Sequence, residues 1–307
     1  MKKQFSMVLA LLLAVTLTAC GTVSKETAGS TADTAQNTAV NSTAQSADTS
    51  NTAADGVSNA ANASNTSGTA SSGSVTITLA AAASLKNVFD EKLIPAFEAA
   101  NPGITVTGTY DSSGKLQTQI EEGLGADLFF SAAAKQMDAL AAEGKVDKAG
   151  VVNLLENKLV LITSTASSKI FTSFQDVVSS KTIAVGDPES VPAGQYAKES
   201  LTNLGIWDKI SDRLSLGSNV TEVLTWVAEG SADCGFVYAT DAASMPNAVT
   251  VCAEAPADSL KTPIVYPVAV LSDAPQKDAA RKFLAYLTSD DAMKIFESYG
   301  FTDNRGK

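Results

Sequence analysis

Hydrophobic positions along the 307-residue chain fall into three regimes. Lys2 and Lys3 precede an apolar run from Met7 to Leu17, the charged-then-apolar order of a secretory signal, shorter than the roughly 20 residues a membrane-spanning helix needs. Residues 21–74 are dominated by Ala, Ser, Thr, Asn and Gly, and no Phe, Trp or Tyr occurs between Phe5 and Phe89. Such a stretch buries too little apolar surface to offset its ordering entropy. From Val75 onward short apolar runs alternate with amphipathic segments. The pattern predicts strands at Val75–Leu79, Ile104–Thr107, Ala126–Ser131, Lys158–Ile162, Thr182–Val185, Gly235–Tyr238, Val249–Val251 and Ile264–Val270. It predicts helices over Leu85–Ala100, Leu116–Glu122, Lys135–Ala142, Ala193–Leu204 and Val220–Glu229, and more helix between Gln276 and Tyr299. Strand and helix in alternation imply an α/β fold with parallel layers.

The end of the first apolar run, Leu17-Thr18-Ala19-Cys20, resembles the bacterial lipobox, in which the cysteine is lipidated and becomes the first mature residue. This reading makes 1–19 a signal peptide, removed on export, and 20–74 a lipidated cysteine followed by a flexible tether with a reach on the order of 40 Å. The protein is expected outside the cytoplasm, anchored by lipid to the cell membrane. Cys234 and Cys252 remain, each in a predicted strand, and they can be bridged only if those strands are neighbours. The spacing leaves both a disulfide and two free thiols open.

Charge narrows the chemistry further. The formal net charge is −11, and it becomes more negative once Lys2 and Lys3 leave, which makes nucleic acid a poor partner. The chain contains no histidine, which removes Ser-His-Asp and Cys-His nucleophile systems and imidazole zinc sites.

Loops after strands hold ligands in open α/β sheets, and four of them here share one chemistry. Ala81-Ala-Ala-Ser84-Leu85 and Asp111-Ser-Ser113-Gly114 place serines at helix starts; Val191-Pro192-Ala193-Gly194 puts proline in a first turn; Asn219-Val220-Thr-Glu222 has capping-box spacing. Each start exposes unpaired N–H groups and the positive end of a helix dipole, an attraction for anions. The only arginines, Arg213, Arg281 and Arg305, lie elsewhere. An organic carboxylate is normally clamped by arginine, so the pattern points to an inorganic oxyanion held by neutral donors.

Ala81–Leu85, Ala126-Asp-Leu-Phe-Phe-Ser-Ala132, Ala184-Val-Gly-Asp-Pro-Glu-Ser-Val-Pro-Ala-Gly194 with Tyr196-Ala-Lys198, Gly235–Tyr238, Tyr266-Pro-Val-Ala-Val270 and Ile295-Phe296 with Tyr299-Gly-Phe301 resemble, in this order, the molybdate-binding proteins of ABC importers. The resemblance implies a two-lobed periplasmic-binding-protein fold (type II), each lobe a sheet flanked by helices, with two crossing strands. It places lobe 1 at 75–157 plus 263–307 and lobe 2 at 158–262. It implies oxyanion contacts at Ser84 and Ser113 in lobe 1 and at Ala193, Val220 and Tyr238 in lobe 2, Ala193 and Val220 acting through backbone N–H. It further implies a monomeric receptor for molybdate and tungstate that delivers to an ABC permease, without catalysis, resident cofactor or protein-coordinated metal. Asp111 departs from the small neutral residue common there and is expected to face solvent.

Three other readings bear on the same residues. Ser112-Ser-Gly-Lys115 fits the Ser-x-x-Lys signature of penicillin-binding proteins and β-lactamases, but no Ser-Asp-Asn is present and Lys261-Thr262-Pro263 replaces Lys-Thr-Gly. A phosphate loop ending at Gly114-Lys115 fails, because Leu116 stands where Ser or Thr should bind magnesium. A receptor for another anion, such as sulfate or an organic anion, is the remaining alternative.

Overall fold

The apolar runs pair into two separate sheets. The computed structural model describes residues 74–307; Cys20, the signal segment and the Ala/Ser/Thr/Asn-rich stretch lie outside them. The strands are β1 (Val75–Ala82), β2 (Ile104–Asp111), β3 (Leu128–Phe130), β4 (Val152–Asn157), β5 (Leu159–Ser164), β6 (Ile183–Gly186), β7 (Leu214–Gly217), β8 (Cys234–Tyr238), β9 (Val249–Glu254), β10 (Ile264–Val270) and β11 (Thr302–Asp303). The helices are α1 (Lys86–Val88), α2 (Ile94–Ala100), α3 (Ser113–Glu121), α4 (Ala134–Ala142), α5 (Pro192–Asn203), α6 (Trp207–Ile210), α7 (Val220–Ala228), α8 (Ala239–Ser244), α9 (Lys277–Leu287) and α10 (Asp290–Ser298). One sheet has six strands in the order β11-β4-β10-β3-β1-β2, the other five in the order β7-β6-β8-β5-β9.

Only part of the expected parallel pairing holds. β1 runs parallel to β2 and β3, and β6 runs parallel to β7 and β8. β10 is antiparallel to β3 and β4, and β5 is antiparallel to β8 and β9. The reason lies in two crossings between the sheets. β4 passes to β5 through Lys158 alone, and β9 passes to β10 through residues 255–263, which contain no helix. A parallel crossover within one sheet needs a dozen or more residues. These links are too short for that, so each new strand enters the other sheet in the opposite sense. β4, β7 and β11 escape the hydrophobic pattern: β4 carries polar Asn153, Glu156 and Asn157 among its six residues, β7 is four residues long, and β11 is two.

The first sheet is covered on both faces, which explains the unbroken apolar run of β3. Ile77, Leu79, Ala81, Leu128 and Phe130 belong to the large core, whereas Ala80 and Phe129 join a smaller cluster with Leu116, Ile120, Met137 and Leu140. In the large core Phe89 meets Phe130 and Phe296 edge-on, with ring centroids 5.9 and 6.0 Å apart. The helical run after β1 widens to a π-turn at Phe89–Leu93 before α2. Pro95 accounts for this, since it lacks the N–H that would bond the carbonyl of Glu91 and its ring crowds that carbonyl.

β5 lies between β8 and β9, which settles the cysteines. Strands two apart in a sheet are about 10 Å from each other, beyond disulfide reach, and both Cys234 and Cys252 are free. Cys234 contacts the Ser180 hydroxyl at 3.4 Å, and burial pushes its thiol up to about 11.

Candidate functional site

Two of the converging loops carry hydroxyls. β1 ends at Ala82 and turns directly into the 3-10 segment Ala83–Leu85, which holds Ser84. The Ser84 Oγ lies 3.0 Å from the Tyr266 hydroxyl. β2 ends at Asp111, and Ser112 then caps α3, its Oγ accepting the Lys115 N–H at 3.4 Å. This makes Ser113 the first residue of α3. It is fully buried, and its Oγ accepts the Ala132 N–H at 2.9 Å.

The other side is built from backbone. After β6, Val191 precedes α5, Pro192 is the first helical residue and Ala193 the second. The first four N–H groups of a helix have no intrahelical partner, and Pro192 has none to offer, so Ala193 supplies the first of them. The start of α5 sits against β6 through two glycines: a Cβ on Gly194 would stand 1.8 Å from the Gly186 carbonyl oxygen. Asn219 caps α7 by accepting the Glu222 N–H at 3.0 Å, while the Glu222 carboxylate accepts the Ser218 N–H at 2.6 Å. That bond holds the Glu222 carboxyl below its ordinary range. The capping box predicted from sequence is present with its return bond one residue earlier, and Val220 stands as the first helical residue. Tyr238 closes β8, and its hydroxyl donates to the Ala132 carbonyl at 3.2 Å across the cleft.

Ser84, Ser113, Ala193, Val220 and Tyr238 all line one small cavity between the sheets. The same cavity takes in Ala132, Pro192 and Asp111, and no lysine or arginine. The lobes touch around it. The Gly114 N–H donates to the Ser190 carbonyl at 2.9 Å, where a Cβ on Gly114 would come within 2.4 Å of the same oxygen, and Gln136 Nε2 donates to Gln195 Oε1 at 3.2 Å.

Asp111 belongs to the residues around the cavity, and its side chain is partly exposed to solvent. Its carboxylate is engaged from other directions: it accepts the Ser112 N–H at 2.7 Å and pairs with Lys115 at 3.5 Å. Lys115 therefore gives its ammonium to Asp111 and not to Ser112, unlike a lysine that serves as the base for a serine nucleophile.

Three buried ionisable groups lie at the cavity: Tyr238 in its lining, and Tyr266 and Asp241 outside it. Burial pushes the Tyr238 and Tyr266 phenols well above their ordinary range, so both keep their hydrogens at working pH. Burial also raises the Asp241 carboxyl to about 7, its backbone hydrogen bond from Tyr238 N–H at 3.1 Å offsetting only part of that. Ala132 and Tyr266 were not among the residues expected to matter at the site. Ala132 bonds Ser113 with its N–H and Tyr238 with its carbonyl, a role for which an alanine carries no side-chain signal. Tyr266 meets Ser84 across 182 residues of sequence, beyond any local pattern.

The arrangement holds hydroxyl and backbone donors around a small space without a basic side chain, which suits a small anion carrying no proton of its own. The model of a family described as bacterial extracellular solute-binding protein matches residues 77–302. The chain is 44% identical over 232 residues, 76% of its length and 88% of the relative's, to YvgL, the substrate-binding lipoprotein assigned to an ABC transporter in Bacillus subtilis (strain 168). It is 39% identical over 239 residues, 75% of its length and 91% of the relative's, to the molybdate-binding protein ModA of Haemophilus influenzae. Among solved structures, the periplasmic molybdate-binding protein of Azotobacter vinelandii has the same fold, with a TM-score of 0.65 at 23% identity over 74% of this chain and 98% of that one. The chain belongs to the bacterial extracellular solute-binding proteins, in one family with the ModA proteins.

Proposed function

We propose that the protein is an extracytoplasmic receptor that encloses molybdate, and also tungstate, between its two lobes and delivers it to an ABC permease. One observation carries this reading: Ser84, Ser113, Ala193, Val220 and Tyr238 converge on a single cavity whose lining has no basic side chain. A fully ionised tetrahedral dianion accepts hydrogen bonds at every oxygen and donates none, which matches such a lining. Monohydrogen phosphate carries a proton that would lack an acceptor there, at a cost of roughly 1 to 3 kcal/mol. Sulfate is disfavoured by size, since its shorter bonds lengthen several hydrogen bonds at once. No resident cofactor or protein-coordinated metal and no catalytic step enters this mechanism, and the receptor works as a monomer. The name of the YvgL relative, a lipoprotein, supports lipidation at Cys20, which lies outside the described residues.

Calorimetric titration with molybdate, tungstate, sulfate and phosphate tests the ligand. Molybdate at about a thousand times its dissociation constant should add about 4 kcal/mol of stability. An unchanged melting temperature in millimolar molybdate would defeat the assignment. For the anchor, Cys20→Ala should move the protein from the membrane fraction to the soluble one with binding intact, and its retention on membranes counts against lipidation.

A further inference from the structure

We infer that Asn157 and Tyr266 form a hydrogen-bond relay from the crossing between the lobes to Ser84, and that this relay forces Ser84 to present its hydrogen, rather than a lone pair, to the anion. The inference rests on the oxyanion-receptor reading above and adds two positioning residues to it.

The direction of the relay follows from hydrogen-bond chemistry. Asn157 is the last residue of β4, at the point where the chain crosses to β5. Its side-chain oxygen accepts the Lys158 backbone N–H at 2.8 Å. A backbone N–H can only donate, so this bond decides which end of the amide is oxygen and turns Nδ2 the other way. Nδ2 lies 2.8 Å from Thr240 Oγ1 and 3.2 Å from the Tyr266 hydroxyl, and an amide nitrogen can only donate to both. The Tyr266 oxygen is thereby an acceptor from Asn157, and its own hydrogen goes to its other hydrogen-bond neighbour, Ser84 Oγ at 3.0 Å. Ser84 must accept that hydrogen. Its own hydrogen cannot point back at Tyr266, which leaves it for the cavity that Ser84 lines.

The register of β10 against β4 slips between Tyr266 and Pro267, with Leu154 of β4 as the extra residue, directly beside the pair Tyr266 and Leu155. Tyr266 is fully buried, and its ring stands edge-on to Tyr238 at 5.5 Å. Tyr238 directs its hydroxyl hydrogen to Ala132, so it donates nothing to Tyr266. Ser113 is treated alike by a different device, since its oxygen accepts the Ala132 N–H. Both serines are thus held from behind by donors. A hydroxyl left free could turn and accept a hydrogen, which would admit a protonated anion. The relay removes that option at Ser84 and acts as a selectivity device against hydrogen phosphate.

The test is a double-mutant cycle read by calorimetry with molybdate and with phosphate, on variants whose melting temperature without ligand shows that they fold. Tyr266→Phe keeps the ring and deletes the relay; it should weaken molybdate about tenfold and narrow the preference for molybdate over phosphate by a similar factor. In the Ser84→Ala background Tyr266→Phe should cost less than about twofold, because its effect passes through Ser84. Asn157→Asp supplies a second arm with the same shape. Its carboxylate would take the Tyr266 hydrogen, Tyr266 would accept from Ser84, and the reversed relay should weaken molybdate more in the wild-type background than in Ser84→Ala. Losses that simply multiply in both cycles, or a Tyr266→Phe affinity and selectivity within twofold of wild type, overturn the relay while leaving the receptor reading intact. A wild-type protein that binds neither molybdate nor tungstate removes the receptor reading itself, and the relay with it.

Discussion

The two lobes reach the same cavity with different chemistry. Lobe 1 offers side-chain hydroxyls, Ser84 and Ser113, each held from behind by another donor. Lobe 2 offers the N–H groups of Ala193 and Val220 at the starts of α5 and α7, and its one hydroxyl there, Tyr238, donates to the Ala132 carbonyl. A hydroxyl is lost by changing one side chain. A backbone donor survives almost any side chain but fails when the helix start moves or its hydrogen is deleted. The lobe 2 contacts are therefore apolar residues whose identity is set by packing, with the binding function carried by where the backbone lies.

The harshest break of this contrast is Gly194→Ala. The new Cβ would lie 1.8 Å from the Gly186 carbonyl oxygen, so the start of α5 must shift away from β6. The variant should lose about 3 kcal/mol or more of stability and its molybdate binding, although it removes no ligand group. Near-wild-type affinity for Gly194→Ala would show that lobe 2 does not depend on this backbone placement.

A second difference between the lobes concerns buried carboxylates. Asp127 in lobe 1 accepts the Thr78 and Gln276 N–H groups at 2.8 and 2.6 Å, whereas Asp241 in lobe 2 accepts only the Tyr238 N–H among the described residues. The Asp241 carboxyl titrates at about 7 in the folded protein against 3.8 for the ordinary group. Between those values the folded state keeps a proton that the unfolded state has lost, so stability falls as pH rises from about 4 to about 7 and then levels. Asp241→Asn deletes that slope and should make the protein on the order of 2 to 3 kcal/mol more stable at pH 8, with little change near pH 4. Denaturant midpoints at the two pH values check the sign.

Single donors come next. Val220→Pro deletes one N–H at a first helical position, where proline is tolerated, and the extended backbone of Asn219 accommodates it. Molybdate affinity should fall about ten- to a hundredfold, while Val220→Ala, which keeps the N–H, should stay within about threefold. Ser84→Ala and Ser113→Ala should each match the proline variant. Equal losses for Val220→Ala and Val220→Pro would assign the effect to the side chain and erase the contrast between the lobes.

The smallest effect is expected from Lys115→Ala. Lys115 follows the serine pair closely, yet its ammonium pairs with Asp111 and is partly exposed, so the change removes only a screened long-range attraction and frees the Asp111 carboxylate. Affinity should drop less than in either serine variant. A larger drop would mean that the anion is held mainly by charge, and the neutral-donor mechanism would be wrong.

The local signals in the sequence were of one kind. Ser113, Ala193 and Val220 are legible because a helix start is written in a few adjacent residues: Ser112 before Ser113, Pro192 before Ala193, Asn219 with Glu222 around Val220. Ser84 is legible from its place after an apolar strand. Tyr238 is not, since an aromatic at a strand end reads equally as core, and only the resemblance to the molybdate-binding proteins singled it out. The alternation of strands and helices marks an α/β fold, and the motif order carries the family.

Tertiary structure alone decided the rest, for reasons of distance along the chain. The direction of β5 and β10 depends on which sheet receives them after a short crossing, and no residue in either strand records that. Cys234 and Cys252 remain apart because β5 lies between their strands. The polarity of the Ser84 hydroxyl depends on an asparagine and a tyrosine 109 residues apart, joined by a hydrogen bond that exists only once both sit at the crossing. Local sequence specifies where a helix begins and which donors it leaves free; the packing of distant strands determines which of those donors meet and which way their hydrogens point.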